Sequence, residues 1–307
     1  MLLDTLDRLA PVAPLDRTLI LTNASLTDAV AAAVPAIQRA NIVSEPRPAG
    51  TAAALAWAAH LIALRAGQDA TMVSVHADSA IGDVEAFRTA LLAAAEAAAN
   101  EHSLVTVGIV PTHPDTGLGY IRPGTVVRGS LRRVDRFLEK PDRAMAESLV
   151  AAGALWNSGI FAWRVGDFLD EVAAHCPEVA SALTAHGDDA EAFFGNVRSI
   201  SIDVGVLERS SRVMVIPGDF GWSDVGTWAA LRAVRQRDSE GNAPTGRVLL
   251  RDSRENVVHA DGTTVVCYGV EGLVVVALNG MTLVTTVERA ADLKTLVDAL
   301  PCEVRER

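Results

Sequence analysis

Thr71-Met72-Val73-Ser74-Val75-His76-Ala77-Asp78 is the stretch on which the fold turns. Five residues rich in apolar and β-branched side chains run into a polar end. Asp83 then stands where its carboxylate can cap an alanine-rich helix through Ala98, and a second apolar run follows from Leu104 to Val110. Strand, helix, strand is the unit of a mostly parallel sheet covered by helices. The alternation extends towards the N-terminus. Strands are predicted at 18–22 and 41–44, a helix capped by Asn23 or Ser25 runs to about Ile37, and a Pro/Gly turn at 46–50 leads into a helix from Thr51 to Ala66. Ligands of such sheets bind beyond the carboxyl ends of the strands, which puts Asp78 and the loop 111–120 where chemistry is expected.

Towards the C-terminus the pattern changes. Paired strands are expected across 126–138, and short helices then prevail from Trp163 until a strand at 213–216. The polar, glycine-containing segment at 238–242 marks a shift in composition. Beyond it, short valine-rich strands recur at 247–250, 256–259, 264–268, 273–276 and 282–285, before a last helix at 291–300. The expected organisation is an α/β domain over 1–236 and a small β unit with a terminal helix over 237–307. The periodicity of the second part leaves a solenoid and a sheet cap both open.

The chain has 307 residues, half of them apolar, enough to bury a sizeable core. No apolar run is long enough to span a bilayer, and the first residues lack the pattern of a signal peptide, so a cytoplasmic location is the default expectation. Cys176, Cys267 and Cys302 are too far apart to signal a disulfide framework or a zinc site. A net charge of −11 argues against a broad nucleic-acid surface but leaves room for a local cationic pocket holding a phosphorylated small molecule.

Four segments carry candidate chemistry. In Phe137-Leu138-Glu139-Lys140-Pro141, Lys140 is one of two lysines in a chain with 25 arginines. A compact ammonium suits one phosphate oxygen in a tight pocket, whereas the plain alternative is a solvated turn before proline. In Leu155-Trp156-Asn157-Ser158-Gly159-Ile160-Phe161, read as a turn, Asn157 offers donor and acceptor to a sugar hydroxyl, or satisfies its own backbone. Asp203, in Ser199 to Glu208, reads as the cap of a helix that follows a strand end. Asp224, within Gly221-Trp222-Ser223-Asp224-Val225-Gly226-Thr227-Trp228, either caps a helix or holds a cation. Asp78 and Asp224 together suit Mg²⁺, which takes one or two carboxylates and leaves its other positions to water and phosphate.

Together and in this order, these segments resemble the mannose-1-phosphate guanylyltransferases, or GDP-mannose pyrophosphorylases, over Met1 to about Leu300. The loop from Gly108 through Thr116-Gly117-Leu118-Gly119-Tyr120-Ile121 is similar to that family's too. The resemblance implies a Rossmann-like fold and transfer of a guanylyl group from GTP to mannose 1-phosphate, with Mg²⁺ as cofactor. It implies that Lys140 binds the sugar phosphate, that Gly119, Glu139 and Asn157 hold sugar hydroxyls with Asp203 supporting their wall, that Asp78 and Asp224 hold the metal, and that Thr51 and Ala52 face the nucleotide. It also implies a homo-oligomer, with a dimer the default expectation.

Against that family, Met1 to Leu9 matches the helix after a glycine-rich phosphate loop, and Ala49-Gly50 stands where an Arg-Asn pair is expected. Roughly 40 residues, about one βα unit, are therefore expected to be missing. The consequences are weak GTP binding and a gap, or a direct pairing foreign to the family, between the strands at 18–22 and 71–75. A non-catalytic sugar-phosphate-binding subunit that pairs with a complete paralogue is the alternative, and another sugar or base a third.

Overall fold

The computed structural model describes residues 1–225, 235, 237–278 and 280–301, and these divide into two compact units, Met1–Asp78 with Asp83–Trp222 and Ser79–Gly82 with Ser223–Arg307. The boundary expected at 236, the end of the Gly221–Trp228 motif and Cys302 lie outside the described residues.

In the first unit, α1 (Leu2–Leu9), β1 (Ile20–Asn23), α2 (Thr27–Ala33), β2 (Ile42–Glu45), α3 (Thr51–Ala66), β3 (Thr71–Ser74), α4 (Val84–Glu101) and β4 (Leu104–Ile109) follow one another. α3 forms because alanine and leucine, the best helix formers, fill it between two glycines with positive φ, Gly50 at 81° and Gly67 at 85°. α4 starts where Asp83 accepts a hydrogen bond from the Ala86 amide at 3.0 Å, the cap the sequence predicts. The helix expected from Asn23 or Ser25 is shorter and in two pieces. Asn23 caps a 3-10 turn at Ala24–Leu26 and α2 stops at Ala33, since Pro35 cannot continue it.

The hairpin of β5 (Tyr120–Arg128) and β6 (Leu131–Leu138) begins six residues earlier than expected. α5 (Arg143–Ala151), β7 (Leu155–Arg164), α6 (Val165–His175), α7 (Pro177–His186), α8 (Ala190–Asn196) and β8 (Val213–Gly218) complete the unit.

Six strands make one sheet in the order β3-β7-β4-β8-β6-β5. β3, β4, β5 and β8 run one way and β6 and β7 the other, so the sheet is mixed with the expected majority direction. β1 and β2 pair in parallel as a separate ladder. Among the described residues nothing pairs with the second edge of β1 or the outer edge of β3, so β1 and β2 stand as a ladder separate from the six-stranded sheet. Ladder and sheet nevertheless back onto one core, in which Leu21 and Met72 join the buried face of α3 and a stack of Phe161, Trp163 and Phe168. Burial of such large aromatics contributes roughly 2–3 kcal/mol each.

In the second unit β9 (Ala243–Arg251), β10 (Val257–Tyr268) and β11 (Leu273–Leu278) pair in parallel, β12 (Met281–Thr286) pairs antiparallel with β11, and α9 (Leu293–Ala299) comes last. The strands expected at 256–259 and 264–268 are one strand, β10, with an irregularity between Ala260 and Thr264. Buried asparagines join the successive turns. Asn242 Oδ1 accepts from the Asn256 amide at 3.1 Å, and Asn256 Oδ1 accepts from the Leu273 amide at 2.9 Å. A ladder that hands backbone donors from coil to coil is the mark of a solenoid rather than a sheet cap.

Candidate functional site

The register of β7 creates an opening in the first unit. β4 occupies one edge of β7 along most of its length. On the other edge β3 covers Phe161 to Arg164 and β5 covers Leu155 and Trp156, with the residue before β5 taking the Asn157 amide, which among the described residues leaves 158–160 without a strand on that side. Gly159 lies in that open stretch with a φ of 69°, a conformation that only glycine adopts without strain. Asn157 therefore sits in a strand and not in the turn read from the sequence. The apolar neighbours that looked like the flanks of a turn are buried strand residues.

The Asn157 amide donates to the Gly119 carbonyl at 2.8 Å, and its side-chain Nδ2 donates to Asp203 Oδ1 at 2.7 Å. A Cβ placed on Gly119 would lie 2.9 Å from Glu139 Oε2, so this glycine lets the loop approach that carboxylate. Gly119, Glu139, Asn157 and Asp203 line one shallow hollow together with Tyr120, Phe137, Leu138 and Glu208. Lys140 Nζ stands 3.2 Å from Glu139 Oε1 at its rim, with a φ of 40° that a non-glycine residue seldom adopts. Strain of this kind, of order 1–3 kcal/mol, concentrates at functional positions.

Asp203 does not cap an α-helix after a strand. Asp203–Leu207 is a π-helical turn, closed by the Glu208 amide donating to the Asp203 carbonyl at 2.8 Å, while Ser201 Oγ takes the amide of Val204. The Asp203 carboxylate is thereby free to meet Asn157. Burial is the first cause that pushes its carboxyl above the usual range, with the Glu139 charge adding to it, and the Asn157 amide and the charge of His76 hold it down. π turns recur at functional sites.

Thr51 and Ala52 hold the segment that carries Asp203. Thr51 Oγ1 accepts from the Ile202 amide at 2.8 Å and the Ala52 amide donates to the Ile200 carbonyl at 3.2 Å. Asp78 is an exposed carboxylate shortly after β3. Asp224 belongs to the second unit, next to Ser223, which forms an antiparallel bridge with Ala80. His113 packs edge-on against Trp156 and bonds Thr112 and Asp115, which gives it a place in holding the loop. Glu208 and the contact of His76 with Gly159 escaped the reading of the sequence. A π turn leaves no local pattern, and register is not visible in one strand alone.

A mixed α/β sheet flanked by helices, bearing an acidic hollow with a lysine at its rim and followed in the chain by a parallel β coil, is the architecture of a sugar nucleotidyltransferase. Residues 1–241 match the nucleotidyl transferase family and residues 246–300 the MannoseP isomerase/GMP-like beta-helix domain. The chain belongs to the mannose-1-phosphate guanylyltransferase family. It is 38% identical over 274 residues to the mannose-1-phosphate guanylyltransferase of Klebsiella pneumoniae, covering 85% of this chain and 58% of that protein. It is 33% identical to the one of Sinorhizobium fredii, covering 98% of this chain and 61% of that protein. The chain thus spans about three fifths of the length of the curated relatives it matches. A solved structure named mannose-1-phosphate geranyltransferase, from Thermus thermophilus, superposes with a TM-score of 0.86 at 36% identity, over 97% of this chain and 88% of that one.

Proposed function

We propose that this chain performs guanylyl transfer from GTP to mannose 1-phosphate, giving GDP-mannose and pyrophosphate. The observation that carries the reading is the convergence of Gly119, Glu139, Asn157 and Asp203 on one hollow with Lys140 at its rim. Carboxylates and an amide accept from and donate to sugar hydroxyls, and the ammonium holds the sugar phosphate as the attacking group. That phosphate is already ionised, so no general base is needed. Positioning and charge neutralisation supply the rate. Asp78 in the first unit and Asp224 in the second are each, taken singly, a hard oxygen donor of the kind Mg²⁺ takes, and the metal when bound would neutralise charge on the nucleotide phosphates.

A second reading, a sugar-phosphate-binding subunit without turnover, is favoured by one observation. Thr51 and Ala52, on the nucleotide side by resemblance, spend a hydroxyl oxygen and an amide on Ile202 and Ile200. The deciding experiment measures GDP-mannose formation from GTP and mannose 1-phosphate with Mg²⁺, beside direct calorimetry of each substrate. Turnover upholds the transferase. Binding of mannose 1-phosphate with neither turnover nor GTP binding selects the subunit, and binding of neither substrate sinks both.

A further inference from the structure

β3 and β7 pair antiparallel with Ser74 opposite Phe161, and carrying that register on by two places sets His76 opposite Gly159. The side chains bear this out. A Cβ placed on Gly159 would lie 2.3 Å from His76 Nε2 and 2.7 Å from its Cδ2, so the imidazole lies over the glycine and has to move for any side chain placed there. From α1, Thr5 Oγ1 donates to the carbonyl of the next residue, Ala77, at 3.3 Å. The turn that leads to Asp78 is therefore held on one side by a hydroxyl and on the other by an imidazole seated in the open stretch of β7. The same imidazole acts electrostatically on Asp203, against the effect of burial and of Glu139.

We propose that His76 is a positioning residue whose ring, keyed onto Gly159, fixes the His76–Asp78 turn against the strand that presents Asn157 to the sugar. This rests on the reading of the hollow as a sugar-phosphate site. It adds that the space above Gly159 is taken by a side chain of the protein itself. Gly159 is thus required twice, for its backbone conformation and for the close approach of the ring.

The test uses His76→Ala, Gly159→Ala and the double variant of the full chain, with mannose 1-phosphate as calorimetric probe, amide exchange across residues 75–78 as structural probe, and thermal midpoint as control. Each single change is expected to weaken mannose 1-phosphate binding about tenfold and to speed exchange in the turn by a similar factor. His76 is exposed, so its replacement should leave the thermal midpoint in place, which a purely structural role would not. In the double variant the new methyl group enters the space the ring has left, and its loss should be no greater than that of either single variant. Losses that multiply, or wild-type affinity and exchange in His76→Ala, overturn the proposal. If the wild-type chain binds no mannose 1-phosphate, the sugar-phosphate reading fails, and unchanged exchange in His76→Ala still refutes the keyed ring.

Discussion

Asn157 and Asp203, 46 residues apart in sequence, are joined by a 2.7 Å hydrogen bond that fastens the open edge of β7 to the π turn. Asn157→Ala strands a carboxylate that is mostly buried. A loss of about 1–3 kcal/mol in urea unfolding is expected, with mannose 1-phosphate affinity down at least about tenfold. Asn157→Asp should be worse, because two carboxylates then share one contact. If Asn157→Asp binds and folds like the parent, the pair does not organise the hollow.

Asp203 also sets a dependence on pH. Its carboxyl lies above the ordinary 3.8, so the folded chain keeps this proton to higher pH than the unfolded chain does. Stability from this group is full below 3.8 and is lost as pH rises through the raised folded value. Asp203→Asn has no proton to lose. Its unfolding free energy should fall less steeply than the parent's across that window, and parallel curves would rule out a proton held by burial.

Lys140 combines a strained backbone with the charge at the rim. Lys140→Gly relieves a φ of 40° and should raise stability by about 1 kcal/mol while abolishing mannose 1-phosphate binding. Lys140→Arg keeps the charge but not the compact head, and affinity should still drop about tenfold or more. Tight binding by the glycine variant would move the phosphate contact elsewhere.

The asparagine ladder makes the second unit sensitive to one residue. Asn256 is fully buried; its side chain accepts from Leu273 and donates to Asn242 Oδ1 and the Val270 carbonyl. Asn256→Ala leaves several backbone and side-chain groups unpaired, and a cost of about 3 kcal/mol or more is expected. Exchange should quicken at the Leu273 amide before the first unit is affected, and uniform protection across β10 and β11 would count against the ladder.

The fold was legible where local rules govern. Thr51 to Ala66 reads as a helix from its alanines and bounding glycines, Asp83 reads as a cap, and the strands at 71–74 and 104–109 follow from short apolar runs ended by polar residues. Asn157 misled because a neutral amide beside glycine has the chemistry of a turn, and only the pairing of β7 with three neighbours shows it in a strand. Asp203 misled for a related reason. Its capping chemistry is real, but Ser201 takes that task, and the partner that claims its carboxylate lies far off in the chain. The residues of the hollow were legible from their order along the chain. Their convergence and the seat of His76 on Gly159 needed the register of strands, and the place of Glu208 needed the π turn.

The five-residue π turn after Ile202 brings in a question of length. In an ordinary helix two residues five apart point about 140° away from each other, so Asp203 and Glu208 would face different surroundings. The wider turn brings both to the wall of the same hollow. Winding these same residues as a regular helix, with the five-residue spacing kept, would swing one acid out. Deleting one residue between them instead leaves a four-residue spacing that a regular helix holds on one face, about 40° apart. The acidity of this hollow is therefore set by how the turn is wound as much as by the residues in it: one and the same spacing presents two acids from a π turn and one from a regular helix.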